Sequence, residues 1–208
     1  MTVDLFALHK AEYSASKKPV LVKIGPARYL SIEGRSAPSD AAFQEAISAL
    51  YASAWTIKMT SKFAGEDDFK VCALECLWWV DADGDFVTTP PSQWNWQVLM
   101  HVPQFVNNRD LARAKQTIEE KKKDKKKKSL PDAGKVSLIT LKEGECVQML
   151  HVGPYDQERE SIRRMQEFAE AEGRVFHGKH HEIYLSDPRR VAPERLRTIL
   201  RMPVKRAR

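Results

Sequence analysis

Two glutamates stand next to aromatic residues in segments that alternate like β-strands. In the segment LECLWW, alternation along a strand places Glu75 on the same face as Trp79. In HHEIYLS, Glu182 shares a face with His180 and Tyr184. A carboxylate among apolar side chains is costly to ionise, so its pKa rises unless a cation or hydrogen-bond donors compensate. Such a glutamate can bind a flat cationic ligand with help from the rings, or exchange a proton with bound water.

Further aromatic residues are candidates for the walls of a pocket around these carboxylates. Trp94 and Trp96 stand two residues apart in a strand-like segment and therefore point to one side. The predicted ligand-binding residues are Trp79, Trp94, Trp96, Tyr184, His180, Tyr51 and Trp55. Two alternatives stay open, because a glutamate at a strand end can be solvated or paired with an arginine, and large aromatic residues at regular spacing often fill a core.

The sequence lacks the motifs of several other chemistries. His180 and His181 are neighbours on one strand and face opposite sides, so they do not bind one metal ion together, and no metal site is predicted. The three cysteines show no CxxC pairing, which favours reduced thiols. Because GxSxG, GxGxxG and P-loop motifs are missing, the sequence predicts neither a serine-hydrolase elbow nor a bound cofactor.

The net charge of +6 comes from two short segments. The run at 119–128, EEKKKDKKKK, carries +4 and the C-terminal tail carries +3, which leaves about −1 for all other residues. A nucleic-acid-binding face would instead mix basic residues and aromatic rings across a folded surface. We therefore predict a solvated lysine run and no direct nucleic-acid binding. Because the sequence shows neither a signal peptide nor an apolar stretch of membrane-spanning length, we expect a cytoplasmic protein without membrane contact.

The chain is predicted to contain two similar halves. Each half has a first strand ending in glycine (Gly34 and Gly153), then a helix, then a strand whose glutamate precedes an aspartate. Each last strand ends in proline (Pro103 and Pro203) after the same order of apolar and basic residues. Three such matches indicate an internal duplication. The predicted fold class is α+β, with two strand-helix-strand-strand units, helices on one face of an antiparallel sheet, and a ligand groove on the other face or at the seam.

The composition also suggests where these units begin and end. We predict an N-terminal extension with a short helix at 1–18, the first unit at 19–106, a lysine-rich helical linker at 107–134 and the second unit at 135–208. The segment SLPDA, with its proline, is expected to end the lysine-rich helix.

Three runs, LECLWW, HVGPYDQE and KHHEIYLSDPRRVAPERLRTILRMPV, resemble the GyrI-like small-molecule-binding family, most closely its stand-alone branch without a DNA-binding domain. The resemblance covers nearly the whole chain and implies one GyrI-like domain at 19–204, with its two units in pseudo-twofold arrangement and the ligand in the groove between them. It also implies a central glutamate, which is Glu182, and a counterpart in the first half, Glu75. Cys76 departs from the family pattern, which favours glycine at this position.

The same resemblance implies that the protein binds or destroys toxic small molecules. Some family members sense drugs or sequester toxins, and the stand-alone branch includes enzymes that open the cyclopropane of DNA-alkylating cyclopropanoid antibiotics by adding water. On this hypothesis Glu182 and Glu75 form an acid–base pair, and Tyr155 is a candidate proton donor. The alternatives are a non-catalytic protein that binds hydrophobic or cationic aromatic molecules, and an adaptor that acts through its lysine run. A homodimer is as compatible with the sequence as a monomer.

Overall fold

The computed structural model describes residues 2–81, 86, 88–123 and 130–207. Its helices and strands, in chain order, are β1 (Thr2–Val3), α1 (Leu5–Leu8), α2 (Lys10–Tyr13), β2 (Val20–Ile24), β3 (Ala27–Arg35), α3 (Ala41–Phe63), β4 (Asp68–Phe69), β5 (Glu75–Trp79), β6 (Asn95–Val102), α4 (Asn108–Lys122), β7 (Ser137–Leu141), β8 (Gly144–Val152), α5 (Glu158–Ala171), β9 (Arg174–Phe176), β10 (His180–Tyr184) and β11 (Arg197–Arg206). Antiparallel strands combined with packed helices confirm the α+β class. Among the described helices, none has both the length and the hydrophobicity of a membrane span.

The chain divides into two compact units made of non-contiguous segments. The first unit comprises Met1–Leu8, Ala27–Cys72 and Trp79–Leu141, and the second comprises His9–Pro26, Ala73–Trp78 and Lys142–Arg208. This division differs from the linear one expected from the sequence, because β2 pairs with β8 and β5 pairs with β10. The strand that carries Glu75, which the repeat pattern assigned to the first half, is therefore part of the second unit.

The first unit is built on β3, which pairs with β6 on one side and β7 on the other, both antiparallel. Helix α3 packs on β3 and β6 through apolar residues at helical spacing, including Phe43, Leu50 and Ile57. It begins directly after Asp40 and ends at Phe63.

Helix α4 follows β6 and packs against α3. Its start is defined by a capping box, in which the Asn107 side chain accepts a backbone N–H from Asp110 and the Asp110 carboxylate accepts the N–H of Asn107. Leu111, Ala114 and Ile118 form its buried side, as their spacing predicts. Most of the lysine run lies outside the described residues, at 124–129.

The second unit contains an antiparallel sheet with the strand order β2-β8-β11-β10-β5, and β9 pairs with the far end of β11. Helix α5 covers one face of this sheet. Its Met165 and Ala169 pack in a buried cluster with Val147 and Met149 of β8 and with Leu200 of β11. These contacts identify the side chains that face α5.

The register of β10 then places its polar side chains on two different faces. Glu182 is directly opposite Leu200 of β11 and Cys76 of β5, and paired residues of an antiparallel ladder share a face. Glu182 is therefore on the face that α5 covers. Glu75 is opposite Ile183, so its side chain lies on the reverse face.

Candidate active site

The carboxyl groups of Glu182 and Glu158 meet on the α5 side of β10, within 4.8 Å of each other. Glu182 stands in the middle of β10, and Glu158 is the first residue of α5. The connection from β8 to α5 positions Glu158, because Gly153 adopts a φ of 141°, which favours glycine, and Pro154 then leads into a 3₁₀ turn. The HVGPYDQE run thus serves to bring a second carboxyl group to Glu182.

The two carboxyl groups have opposite protonation tendencies. Burial raises the pKa of Glu158, and the neighbouring Glu182 carboxylate raises it further by repulsion and by accepting its proton in a hydrogen bond. Burial also raises the pKa of Glu182, but the nearby imidazole of His180, together with Tyr184 and Glu158, outweighs it and lowers the pKa overall. A protonated acid beside an ionised carboxylate is the arrangement that acid–base catalysis uses.

Aromatic residues surround Glu182. The Tyr184 hydroxyl donates to Glu182 Oε2 at 2.6 Å, and Trp78 Nε1 donates to the Tyr184 oxygen at 3.2 Å. The ring of Tyr155 meets that of Tyr184 edge to face, with centroids 5.8 Å apart. Burial raises the pKa of Tyr155 to about 12, with further contributions from the nearby carboxylates, so its phenol keeps its proton at neutral pH.

Several buried polar atoms on this face lack a partner. Within the described part of the chain, four buried side-chain oxygen or nitrogen atoms have no hydrogen-bond partner, and they include Glu158 Oε1, His180 Nε2 and Thr198 Oγ1. Thr198 is opposite Tyr184 in the ladder and so faces the same side. His180 Nε2 is 3.3 Å from Glu182 Oε1, but the contact lacks hydrogen-bond geometry. Since each unpaired buried group costs about 1–3 kcal/mol, three of them on one face indicate a place where a ligand completes the pairing.

The reverse face of β10 carries a second polar cluster, and its members are fully paired. Glu75 accepts hydrogen bonds from Tyr13 at 2.7 Å and from His181 Nε2 at 3.0 Å. The other nitrogen of His181 lies 2.9 Å from Glu143, and Arg201 donates to the second oxygen of Glu143 at 2.9 Å. Tyr13 belongs to α2, so this network attaches the N-terminal helix to the sheet.

Charge pairing fixes the ionisation of this second cluster. Burial lowers the pKa of His181, but the carboxylates of Glu143 and Glu75 outweigh it and raise the value to about 9. Burial raises the pKa of Glu143, whereas His181 and Arg201 lower it more strongly, to about 2. The cluster is therefore a charged network at neutral pH, with His181 as an imidazolium between two carboxylates.

The structure brings some of the sequence-predicted site residues together and separates others. Glu182, Tyr184, His180 and Tyr155 share one site. Glu75 does not join them, because it lies on the reverse face, is fully buried and has both carboxylate oxygens engaged. Glu182 and Glu75 therefore do not lie together, and the carboxyl group near Glu182 is that of Glu158. Glu182 itself lies on the face of the sheet that α5 covers.

The remaining predicted ligand-binding residues lie in the first unit. Trp96 is 3% exposed and packs edge to face on Phe43, with its Nε1 donating to the Ser36 hydroxyl. Trp94 donates to the backbone oxygen of Thr89 and is half-buried. Trp55 is 49% exposed on α3, and Tyr51 and Trp79 are half-buried. Trp96 is thus a core residue, the alternative that the sequence left open.

Sequence reasoning missed Glu158 and the paired network of the second face. Glu158 ends the HVGPYDQE run, and a glutamate after Gly-Pro at a helix start was the available signal. The network of Tyr13, Glu143 and Arg201 had no comparable signal, because its members are far apart in the sequence. Tyr13 is 62 positions from its partner Glu75, and Glu75 is 106 positions from His181.

The chain is similar to a known protein family and to several solved structures. The family model of the GyrI-like small molecule binding domain matches residues 17–205. The crystal structure of an uncharacterized conserved protein from Listeria innocua is similar with a TM-score of 0.89 and 36% identity, covering 98% of this chain and 100% of that one. A hydrolase from Listeria innocua is also 36% identical, with a TM-score of 0.86 and the same coverage of both chains. The C-terminal domain of EcmrR shares the fold alone, at 12% identity and a TM-score of 0.58, covering 91% of this chain and 98% of that one. No curated protein sequence matches the chain.

Proposed function

Because the chain belongs to the GyrI-like small-molecule-binding family, we propose that it is a hydrolase that adds water to flat, strained electrophiles of the cyclopropanoid class. The observation that carries the proposal is the close approach of the Glu158 and Glu182 carboxyl groups, within 4.8 Å, beside the rings of Tyr184 and Tyr155. The 36% identity to a hydrolase from Listeria innocua over 98% of the chain supports hydrolytic chemistry. The resemblance of the sequence to the stand-alone branch supports the choice of substrate.

In the proposed reaction the Glu182 carboxylate acts as the base. It takes a proton from a bound water molecule while the water oxygen forms a bond to the cyclopropyl carbon. The strained C–C bond breaks, and its electron pair moves into the conjugated ring system toward the carbonyl oxygen. Glu158, which holds a proton, or the Tyr155 phenol then protonates that oxygen, so that the product is the substrate plus one water.

The aromatic side chains are suited to holding such a substrate. Tyr184 is oriented by its hydrogen bonds to Glu182 and Trp78. Tyr155 is 39% exposed, which makes it accessible from solvent at the edge of the site. A flat polycyclic ligand that stacks on these rings would gain contact area at low entropic cost, because the rings are already ordered.

The proposal is tested by incubating the purified protein with a cyclopropanoid alkylator and following the ring-opened hydrate by mass spectrometry. Replacing Glu182 by Gln removes the base, so we expect turnover to fall by about 100-fold or more while ligand binding persists. Glu160→Gln is the matched control, since Glu160 is an exposed glutamate on the first turn of α5 that pairs with Arg163. A Glu182→Gln protein that keeps the full rate would contradict the assignment.

A second candidate function is binding without catalysis. The unpaired buried atoms of Glu158 and His180 and the ionised Glu182 favour a ligand that carries positive charge. On this alternative no hydrate forms, and flat cationic aromatic molecules quench tryptophan fluorescence when they bind. Glu182→Gln then weakens the binding of cations far more than the binding of neutral analogues of the same shape. The mass-spectrometric assay and the fluorescence titration together separate the two functions.

A further inference from the structure

The α5 side of β10 holds a set of metal-ligand atoms that the proposed hydrolysis uses only in part. Glu158, His180 and Glu182 each offer one ligand atom, and these atoms lie within 4.8 Å of one another. His180 Nε2 is 3.3 Å from Glu182 Oε1. Two donors around one Zn²⁺ at bond lengths of about 2.0–2.2 Å are separated by roughly that distance.

Two of the three residues have a buried side-chain atom without a hydrogen-bond partner. Glu158 is 6% exposed and its Oε1 is unpaired, and His180 is 8% exposed and its Nε2 is unpaired. A carboxylate oxygen and a deprotonated imidazole nitrogen both offer lone pairs, so a single cation between them satisfies both atoms at once. Acidic residues alone would not indicate a site, but here two residues with unpaired buried atoms belong to a cluster whose ligand atoms lie within 4.8 Å of one another.

We infer that Glu158, His180 and Glu182 bind one divalent transition metal ion, with Zn²⁺ as the best-fitting candidate. Two carboxylate oxygens and one imidazole nitrogen match the three-ligand type of zinc site, which keeps a fourth position for water or a substrate atom. Mg²⁺ fits less well because it prefers oxygen ligands alone. The site uses His180 only, which agrees with the expectation that His180 and His181 cannot share an ion.

The residues around the ligands support this assignment. Tyr184 donates to Glu182 Oε2, which leaves Oε1 directed at His180, and Trp78 in turn holds the Tyr184 hydroxyl. Outer hydrogen bonds of this kind orient metal ligands and strengthen their binding. The site is therefore ordered by contacts that do not involve the metal itself.

Metal binding has a consequence for the reaction, and this part rests on the proposed function. A cation held by Glu158 and Glu182 occupies the carboxylate oxygens that the proposed reaction uses as acid and base. The loaded protein then lacks both its general acid and its free carboxylate base. Zn²⁺ is accordingly expected to act as an inhibitor that EDTA reverses.

The inference is tested on the untagged full chain after dialysis against EDTA. Calorimetric titration with ZnCl₂ should give one site per chain, and titration with Co²⁺ should give the visible d–d absorption of a low-symmetry site. His180→Ala and Glu158→Gln should abolish both signals. His177→Ala is the matched control, because His177 is exposed in the same unit and should leave binding unchanged. Tyr184→Phe should weaken Zn²⁺ binding by about 10–100-fold.

Zinc binding at unit stoichiometry that is lost in the two ligand variants would support the inference. No zinc binding by the wild-type protein, or equal binding by His180→Ala, would overturn it. If a ligand variant fails to fold, as judged by near-UV circular dichroism, the Co²⁺ spectrum of the wild-type protein alone decides whether the metal site exists. Hydrolysis by the metal-free protein without any zinc binding would overturn only this inference, whereas zinc binding without any hydrate would overturn only the proposed function.

Discussion

Acidic, imidazole and phenolic groups meet on both faces of the sheet at β10, and the two faces differ in how completely these groups are paired. On the reverse face, Glu75, His181 and Glu143 form hydrogen bonds with one another and with Tyr13 and Arg201. On the α5 face, Glu158 and His180 each retain an unpaired buried atom next to Glu182. The side-chain types are nearly the same on the two faces.

This contrast separates a structural role from a functional one. A buried charge is tolerated when partners within the protein compensate it, which is the state of the reverse face. Where the protein leaves buried groups unpaired, the free energy is recovered when something else binds. We therefore assign stability to the reverse face and ligand chemistry to the α5 face, and the following variants test that division.

The largest effect is expected from Arg201→Met on the reverse face. Arg201 is almost completely buried, and its removal leaves the Glu143 carboxylate with one cationic partner fewer in a dry environment. We expect a loss of about 3–5 kcal/mol in the free energy of unfolding, measured by urea denaturation. Arg197→Met is the matched control on the exposed side of β11 and should change stability by less than about 0.5 kcal/mol. Adding Glu143→Gln to Arg201→Met should restore part of the loss.

The second effect is the pH dependence of stability that His181 produces. Its pKa is about 9 in the folded protein and 6.5 without the fold. The stabilisation by its charge is therefore complete below about pH 6.5 and is lost as the pH rises through about 9. In metal-free protein, the difference in Tm between wild type and His181→Gln should stay constant below pH 6.5 and narrow toward pH 9. A difference that is unchanged across this range would contradict the charged network.

Glu143 gives the complementary behaviour in acid. Its pKa is about 2 in the folded protein against an ordinary value of 4.5, so its stabilisation is complete above 4.5 and is lost as the pH falls through about 2. Thermal unfolding of wild type and Arg201→Met between pH 5 and pH 2 checks this, because the variant should lose less of its Tm over that interval.

A smaller effect is expected from Glu75→Gln. Comparing this variant with Glu182→Gln compares the two faces of the sheet directly. Glu75 accepts hydrogen bonds from a cationic imidazole and a phenol, so the neutral amide should cost about 1.5–3 kcal/mol of stability. Turnover by the folded protein should change little, since Glu75 is separated from the α5 face by the backbone of the sheet. Glu182→Gln should show the reverse pattern, with lost turnover and nearly unchanged stability.

The smallest effect is expected from Tyr13→Phe, which removes one hydrogen bond that attaches α2 to the sheet. The loss should be about 0.5–1.5 kcal/mol, because Glu75 keeps its bond to His181. Limited proteolysis within residues 9–16 should become faster in the variant. Unchanged proteolysis would show that other contacts of this segment, such as the bond from Leu150 N–H to the Ser16 oxygen, are sufficient to hold it.

Much of the fold follows from local pattern. Alternation in HHEIYLS predicts that Glu182, His180 and Tyr184 share a face of one strand, and the structure has them so. Helical spacing likewise predicts the buried sides of α3 and α4. A glycine lies at the end of the first strand of each half, but the structural reason for the glycine differs between the two. Gly34 leaves room for the Trp96 ring, which a Cβ would meet at 2.2 Å, whereas Gly153 adopts a positive φ.

The composition of the site depended on contacts that no local pattern encodes. Short runs of residues predict the α+β class, the identity of the strands and the family. They can do so because periodicity and motifs are properties of neighbouring positions. The partners of each carboxylate are set by the pairing register between strands, which brings Glu75 to His181 across 106 positions. A shift of one residue in that register exchanges the two faces of a strand. Tertiary structure alone therefore determined that Glu158 joins Glu182 and that Glu75 does not.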